Sequence, residues 1–126
     1  MKMLPHIYIA DTEEKGRGVF TALDIPAGSL IEICPLILIP IHQTKLIDQT
    51  KLYDYYFIWD AEHIAIALGY GSLYNHSSTH NAIVIYDFES NEIQVEAIRD
   101  IGSGEEITIN YLDDDEFIGD LWFEEK

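Results

Sequence analysis

The chain contains 126 residues, of which 23 are acidic and 7 are basic, so its formal net charge at pH 7 is −16. This length suits one domain and argues against an enzyme with separate cofactor and substrate lobes. The scarcity of Lys and Arg argues against direct binding of nucleic acid or of an anionic membrane, because both require clustered positive charge, whereas a basic protein would be attracted. With 48% hydrophobic and 12% aromatic residues, the chain is too apolar to be disordered.

The sequence also favours a reducing compartment. Cys34 is the only cysteine, so neither an intrachain disulfide nor an all-cysteine zinc site can form. The N-terminal residues lack the apolar segment of a signal peptide. The most apolar run, residues 30–41, is too short to cross a bilayer and is interrupted by Glu32 and by two prolines. We therefore expect a soluble protein of the cytoplasm, or of the host nucleus if the source is a virus.

Short strands dominate the predicted secondary structure. The prolines at positions 35 and 40 predict an edge or bulged strand in that part of the chain. Residues 43–68 mix helical with irregular apolar spacing, which predicts one or two short helices. The pattern indicates a mostly β protein built from several small sheets. The predicted strands, which are rich in Ile, Val, Tyr and Phe and are separated by turn residues, are residues 6–10, 18–22, 29–39, 82–88, 92–98 and 105–111.

Two short motifs are candidates for ligand binding. Gly16-Arg17-Gly18 allows a tight turn and a close approach of the backbone to a ligand, although an ordinary hairpin turn is the better explanation of this motif alone. Asn75-His76-Ser77 offers amide and imidazole groups that can anchor a polar ligand, although a local Asx or Ser turn explains it more simply. His76 and His80 are four apart, but the residues between them are poor helix formers and no third ligand is near. We therefore predict no metal site.

Aromatic and acidic residues are concentrated in two further segments. The aromatic side chains of residues 53–74 could fill a core or could line a channel for an alkyl-ammonium chain. The acidic run after Tyr111 invites comparison with a calcium-binding loop. That interpretation fails, because Phe117 and Ile118 occupy the positions that need a ligand and a glycine.

The order of these motifs resembles the SET-domain protein lysine methyltransferases. The matching segments are K-G-R-G-V-F, D-Y-Y-F, G-Y-G-S-L-Y-N-H-S, N-A and G-E-E-I-T-I-N-Y, and the likeness extends from about Lys15 to Tyr111. The small size resembles the compact stand-alone members of bacteria and large viruses. The resemblance implies a β-clip fold of several small sheets with short helices, in which a C-terminal segment forms a pseudoknot beside the N-H-S segment. Residues 1–126 would then be one domain, with residues 112–126 as an acidic and aromatic tail.

The resemblance also implies a cofactor and the residues that bind it. S-adenosylmethionine would be the methyl donor. Gly16, Arg17 and Gly18 would form the cofactor loop, in which Arg17 would act mostly through its backbone. Asn75 and His76 would hold the methionine and adenine ends of the cofactor.

Catalytic residues follow from the same resemblance. Tyr111 matches the catalytic tyrosine, and Tyr55 matches a tyrosine of the active-site channel. The zinc cluster that often follows the domain is missing, so Phe117 or Trp122 of the tail could close the cofactor pocket by stacking on adenine. We expect the tail to fold back onto the domain, because large apolar residues accompany its acids. Ile109 replaces an aromatic residue that often limits the methylation state, which leaves the number of methyl groups open.

The resemblance and the charge together predict a lysine N-methyltransferase that acts on a basic protein, for which histone-like and ribosomal proteins are candidates. One alternative is a catalytically silent module of the same fold that binds a basic protein through its acidic surface. A second is an acidic β-rich adaptor unrelated to this family. The apolar residues 36–39 could support a homodimer or could belong to the core.

Overall fold

The computed structural model describes residues 2–110, which form two β-sheets and little helix. Each strand predicted from the sequence is present in this range, with its ends shifted by one or a few residues, so the prediction of a mostly β protein is confirmed. Within this range the strands are β1 (Lys2–Met3), β2 (Ile7–Thr12), β3 (Gly16–Thr21), β4 (Leu30–Pro40), β5 (Tyr56–Ile58), β6 (His63–Ala67), β7 (Asn75–His76), β8 (Ala82–Asp87), β9 (Glu92–Ala97) and β10 (Glu106–Ile109).

The first sheet contains β2, β3, β10 and β7 in that order. β2 and β3 form an antiparallel hairpin that closes at Thr12↔Gly16. The hairpin turn therefore precedes the glycine motif, whose residues lie in β3. β10 pairs antiparallel with β3 and parallel with β7, so a late strand lies between two earlier ones. This is the crossing beside the Asn-His segment that the predicted pseudoknot requires.

β4 is the long central strand of the second sheet, in which the order is β5-β6-β4-β9-β8 and β1 also pairs with β4. The prediction of an edge strand is wrong, whereas a bulge is present as a register shift between Leu30 and Glu32. β9 pairs with β4 as far as Pro35, and β6 pairs with it from Leu36 to Pro40. The prolines thus lie where β4 changes partner and where it ends, the two places where a missing N–H disturbs pairing least.

Side chains of both sheets share one hydrophobic core. Val19 and Ile107 of the first sheet are fully buried in it together with Ile93 and Val95 of the second. In β4, Leu36 and Leu38 pack against this core, whereas Ile37 is 50% exposed. Residues 36–39 are therefore partly core, and a homodimer contact through their exposed face stays a prediction.

Short helices occur between β4 and β5. A 3₁₀ helix (Ile41–Gln43) leads into α1 (Thr44–Ile47), and a second 3₁₀ helix (Lys51–Asp54) follows. The predicted short helices are confirmed, but β5 and β6 were not predicted, because strands buried on both faces lack the alternation that reveals a strand. No helix among residues 2–110 is long and apolar enough to span a membrane.

The carboxylate of Glu105 connects the loop before β10 to its neighbours. It accepts hydrogen bonds from Gly102 N at 2.9 Å and from Asn81 Nδ2 at 3.3 Å, and it pairs with Arg99 at 3.2 Å. The hydrogen bond from Gly102, supported by Asn81 and Arg99, outweighs partial burial and holds the pKa of Glu105 below its usual 4.5. Because this pKa is lowered by folding, Glu105 stabilises the protein above the unfolded-state pKa, and the contribution is lost as the pH falls through the folded-state pKa.

We expect Glu105→Gln to lower the free energy of unfolding at neutral pH by less than about 1 kcal/mol, since the carboxylate is partly exposed. The mutant and wild-type stabilities should converge as the pH falls through the folded-state pKa of Glu105, which lies below 4.5. Urea denaturation over a range of pH checks this. Glu89→Gln, in the exposed turn between β8 and β9, is the control. Equal losses for the two variants, or a Glu105→Gln loss that persists in acid, would contradict the assignment.

Candidate active site

The glycine motif and the Asn-His motif are far apart in the sequence but are joined by β10 in the first sheet. β10 pairs with β3 at Glu106↔Phe20. Two residues later it pairs with β7 at Thr108↔Asn75. Because β10 touches both strands, the start of β3 is held beside β7.

The side-chain amide of Asn75 connects these three strands. Its Nδ2 donates to the backbone carbonyl of Arg17 at 2.8 Å and to Oε2 of Glu106 at 2.8 Å. Two acceptors on the same nitrogen define the orientation of the amide, so its Oδ1 is the atom that can accept a hydrogen bond from a ligand. Arg17 enters this contact through its backbone, not through its guanidinium.

Lys15 lies at the same place, just before β3. Its Nζ donates to the backbone carbonyl of His76 at 3.3 Å and lies 3.9 Å from Oε1 of Glu106. We refer to Lys15, Arg17, Asn75, His76 and Glu106 as the junction cluster. It combines an ammonium, a carboxylate, an amide and backbone carbonyls, which are suitable partners for both charges of an amino acid.

Gly18 lies directly against the contact between Asn75 and Glu106. A Cβ atom at Gly18 would collide with Oε2 of Glu106 and would lie 3.0 Å from Nδ2 of Asn75. Gly16 is different, because its Cβ position is open but its φ of 75° favours glycine. The first glycine of the motif is therefore needed for backbone conformation and the second for space.

Asn81 holds β10 in place and is only 1% exposed. Its Oδ1 accepts from Thr108 N at 2.8 Å, and its Nδ2 donates to Glu106 O at 2.8 Å. The amide thus pairs with β10 as the peptide group of a neighbouring strand would. It supplies pairing that β7, which is only two residues long, cannot supply.

Tyr55 is not joined to the junction cluster by hydrogen bonds among residues 2–110. It ends the second 3₁₀ helix, where its N–H donates to Leu52 O at 3.0 Å. The next residue, Tyr56, is buried, and its Oη donates to Oδ1 of Asp48 at 2.8 Å. Burial raises the pKa of Tyr56 well above its usual value of 10.0, with Asp48 acting in the same direction, so the phenol remains a donor. The placement of Tyr55 in a substrate channel stays a prediction.

Three predicted site residues, Tyr111, Phe117 and Trp122, lie outside the described residues, so their roles also stay predictions. In the sequence, only Asn110 separates Tyr111 from the end of β10. Among residues 2–110, no three His, Cys, Asp or Glu side chains are grouped so that they could hold a metal ion.

The sequence motifs alone did not single out Lys15, Asn81 or Glu106. Asn81 and Glu106 lie inside the segments that carry the family resemblance, and Lys15 begins one of them. This position in the motifs is the signal that could have identified them. A charged residue beside a strand otherwise indicates only a solvated surface, and the partners of these side chains become visible only after folding.

Comparisons with known proteins agree with this arrangement. Residues 16–112 match the model of the SET domain family. The histone-lysine N-methyltransferase, H3 lysine-37 specific, of Schizosaccharomyces pombe is 37% identical over 119 residues, which cover 94% of this chain and 77% of that protein. The crystal structure of a Plasmodium falciparum protein, provisionally described as a histone methyltransferase, matches with a TM-score of 0.68 and 32% identity, covering 86% of this chain and 95% of that one. The predicted β-clip fold is thereby confirmed, and the chain belongs to the SET-domain family of protein-lysine N-methyltransferases.

Proposed function

We propose that this SET-domain methyltransferase transfers a methyl group from S-adenosylmethionine to the side-chain amine of a lysine in a basic protein. The observation that carries the proposal is the bridge made by the Asn75 amide between Arg17 O and Glu106 Oε2, at 2.8 Å from each. This bridge gathers polar groups from three separate segments beside a glycine-rich strand. Convergent polar groups beside accessible backbone are typical of a ligand-binding site.

The chemistry of the junction cluster fits the amino acid end of the cofactor. Lys15 Nζ would bind the carboxylate, and Asn75 Oδ1 with the Glu106 carboxylate would accept from the ammonium. From the family resemblance we assign His76 to the adenine end, where a tail ring, Phe117 or Trp122, would stack. The bound cofactor would supply a methyl group on a positively charged sulfur.

The lysine amine must be neutral before it can accept the methyl group. A free lysine has a pKa of about 10.4, so removing its proton at pH 7 costs about 4.6 kcal/mol. Apolar aromatic walls lower that cost because they disfavour the ammonium, and we assign Tyr55 to such a wall. Tyr111 would orient the groups around the transferred methyl. Alignment of the lysine amine with the transferred methyl group would supply most of the rate enhancement.

A basic protein is the proposed substrate class, and histones are the first candidates. The S. pombe relative is named for its action on lysine 37 of histone H3. The formal net charge of −16 would attract a Lys-rich segment, and this attraction would weaken with increasing salt. Ribosomal proteins form a second basic class for comparison.

Calorimetric titration with S-adenosylmethionine, followed by a transfer assay read by mass spectrometry, tests the proposal. We expect saturable binding of the cofactor and added methyl groups on lysines of histones or ribosomal proteins. A sample without cofactor is the control for pre-existing methylation. Absence of cofactor binding would overturn the proposal and would favour the silent module that binds basic proteins.

The pH dependence of the reaction tests whether loss of the lysine proton limits the rate. We expect kcat/KM for a lysine peptide to rise about tenfold per pH unit between pH 7 and 9, because the neutral fraction of a free amine with a pKa of about 10.4 rises by that factor. Initial rates at constant ionic strength measure this, and cofactor affinity at each pH is the control. A flat profile would contradict a need for deprotonation.

Gly18→Ala should weaken cofactor binding about tenfold, which corresponds to the loss of one hydrogen bond to a charged group. The added Cβ needs the space that Oε2 of Glu106 occupies, so Glu106 must move away from Asn75. Calorimetry measures the affinity. Gly102→Ala is the matched control, because its Cβ would meet Glu105 Oε1 at an ordinary distance of 3.8 Å. Unchanged affinity of the Gly18→Ala protein would remove Gly18 from the site.

A further inference from the structure

Glu32 is a buried carboxylate in β4, with an exposure of 1%. The bulge between Leu30 and Glu32 brings both Ile31 and Glu32 to buried positions. No Lys, Arg or His within the described part of the chain forms an ion pair with it. Burying a carboxylate is costly unless it is hydrogen-bonded. The hydrogen-bond partners of Glu32 therefore indicate its structural role.

Two hydrogen-bond donors to Glu32 lie in the loop of residues 68–74, which connects β6 to β7. Tyr74 Oη donates to Oε1 at 2.6 Å, and Tyr70 N donates to Oε2 at 2.9 Å. Burial raises the pKa of Tyr74 well above its usual value of 10.0, and Glu32 adds to this effect, so the phenol keeps its proton. One carboxylate therefore binds the loop near its beginning and at its end.

The same loop is packed tightly against β4. A Cβ atom at Gly71 would lie 2.5 Å from Cβ of Ala67 and 2.9 Å from Sγ of Cys34. Ser72 Oγ accepts a hydrogen bond from Ala67 N at 3.0 Å. The path of the chain into β7 is thus determined by buried contacts with little room for adjustment.

Tyr74 is covalently followed by Asn75, the residue whose amide bridges Arg17 and Glu106. β7 has only two residues, so its own pairing with β10 holds it weakly. Because the amide contacts of Asn75 are 2.8 Å long, a displacement of about 1 Å away from the acceptors, passed on from Tyr74, would take them beyond hydrogen-bond range.

We propose that Glu32 and Tyr74 are positioning residues, whose buried hydrogen bond places Asn75 in the cofactor site and thereby sets cofactor affinity. The link to affinity rests on the proposed function, whereas the placement of Asn75 does not. A role confined to core stability would lower the folded fraction but would leave the site unchanged in the molecules that fold.

Tyr74→Phe is the first test, because it removes the phenol hydroxyl and keeps the ring. Calorimetry should show an S-adenosylmethionine Kd raised at least about tenfold, with the number of sites per folded chain unchanged. Tyr56→Phe is the matched control, since it also removes a phenol–carboxylate hydrogen bond, the one to Asp48 at 2.8 Å. Its Kd should stay within about twofold of wild type, because Tyr56 lies in β5 of the second sheet and is remote in sequence from the junction cluster. Equal effects of both variants, or no effect of Tyr74→Phe, would overturn the proposal.

Two further measurements keep the outcome decisive. Glu32→Gln preserves shape and one acceptor, and its amide can donate to Tyr74 Oη, so this variant should keep most of the affinity that Tyr74→Phe loses. If Tyr74→Phe does not fold, Glu32→Gln and Glu32→Ala provide the comparison, and equal Kd values for them would overturn the proposal.

Nuclear magnetic resonance of the unliganded protein tests placement without the cofactor. The Asn75 side-chain amide signals should shift and exchange faster in Tyr74→Phe and stay unchanged in Tyr56→Phe. Unchanged Asn75 signals in both would overturn the positioning role. If wild type fails to bind S-adenosylmethionine, the proposed function fails, and these amide signals still decide whether Glu32 and Tyr74 position Asn75.

Discussion

Replacing Tyr111 with Phe should slow methyl transfer by at least about 100-fold, the lower range for loss of a positioned polar group in catalysis. The substitution removes the hydroxyl group that we assign to the orientation of the amine and the methyl group. Cofactor affinity should change less than about threefold, because the junction cluster is untouched. Initial rates with labelled cofactor and calorimetric affinities measure the two effects separately.

Tyr8→Phe is the control for loss of a phenol hydroxyl elsewhere. Tyr8 lies on β2, is 39% exposed and stacks on Phe20 through its ring, which the substitution retains. We expect wild-type rates for this variant. A Tyr111→Phe protein with an unchanged rate would exclude Tyr111 from catalysis, and a large loss of cofactor affinity would place it in the binding site instead.

Asn81→Ala should lower the free energy of unfolding by about 3 kcal/mol, because it leaves Thr108 N and Glu106 O without partners in a buried place. Each lost partner of a buried group costs about 1–3 kcal/mol. Chemical denaturation followed by circular dichroism measures the change. Because Glu106 also contacts Asn75, cofactor affinity should fall as well.

Asn81→Asp keeps the shape of this side chain but removes its N–H donor, so it tests the hydrogen bonds apart from the shape. The carboxylate keeps an acceptor for Thr108 N but places a second acceptor opposite Glu106 O and beside Glu105. We expect it to be at least as destabilising as Asn81→Ala at pH 7. Gln94→Ala, which removes a half-buried amide from β9, should change stability by less than about 0.5 kcal/mol. A loss for Gln94→Ala equal to that for Asn81→Ala would contradict the role of Asn81 in holding β10.

These expectations share one structural reason, which is that the site is assembled by β10. The strand is held by β3, by β7 and by the Asn81 side chain, and it carries Glu106 at one end. Tyr111 follows its other end in the sequence. Loosening β10 should therefore affect cofactor binding and catalysis together.

Sequence patterns could not predict the burial of residues whose hydrogen-bond partners lie far away in the sequence. Glu32 lies in an apolar run and, by its charge, would be expected to face solvent or a cation. Its acceptance of hydrogen bonds from Tyr70 and Tyr74 depends on a bulge in β4 and on a distant loop. Pro35 misled the strand prediction for a related reason, since its effect depends on which neighbour β4 has at that point.

The sequence by itself determined the mostly β character, the positions of the glycine and Asn-His motifs and the family, because these depend on local composition and on the order of motifs. The folded chain decided that Lys15, Glu106 and Asn75 meet, and that Asn81 serves as a strand partner. Such contacts join residues remote in sequence through the register of β10, which is set by packing across the whole core. Local propensity carries no information about that register, so only the tertiary structure could reveal it.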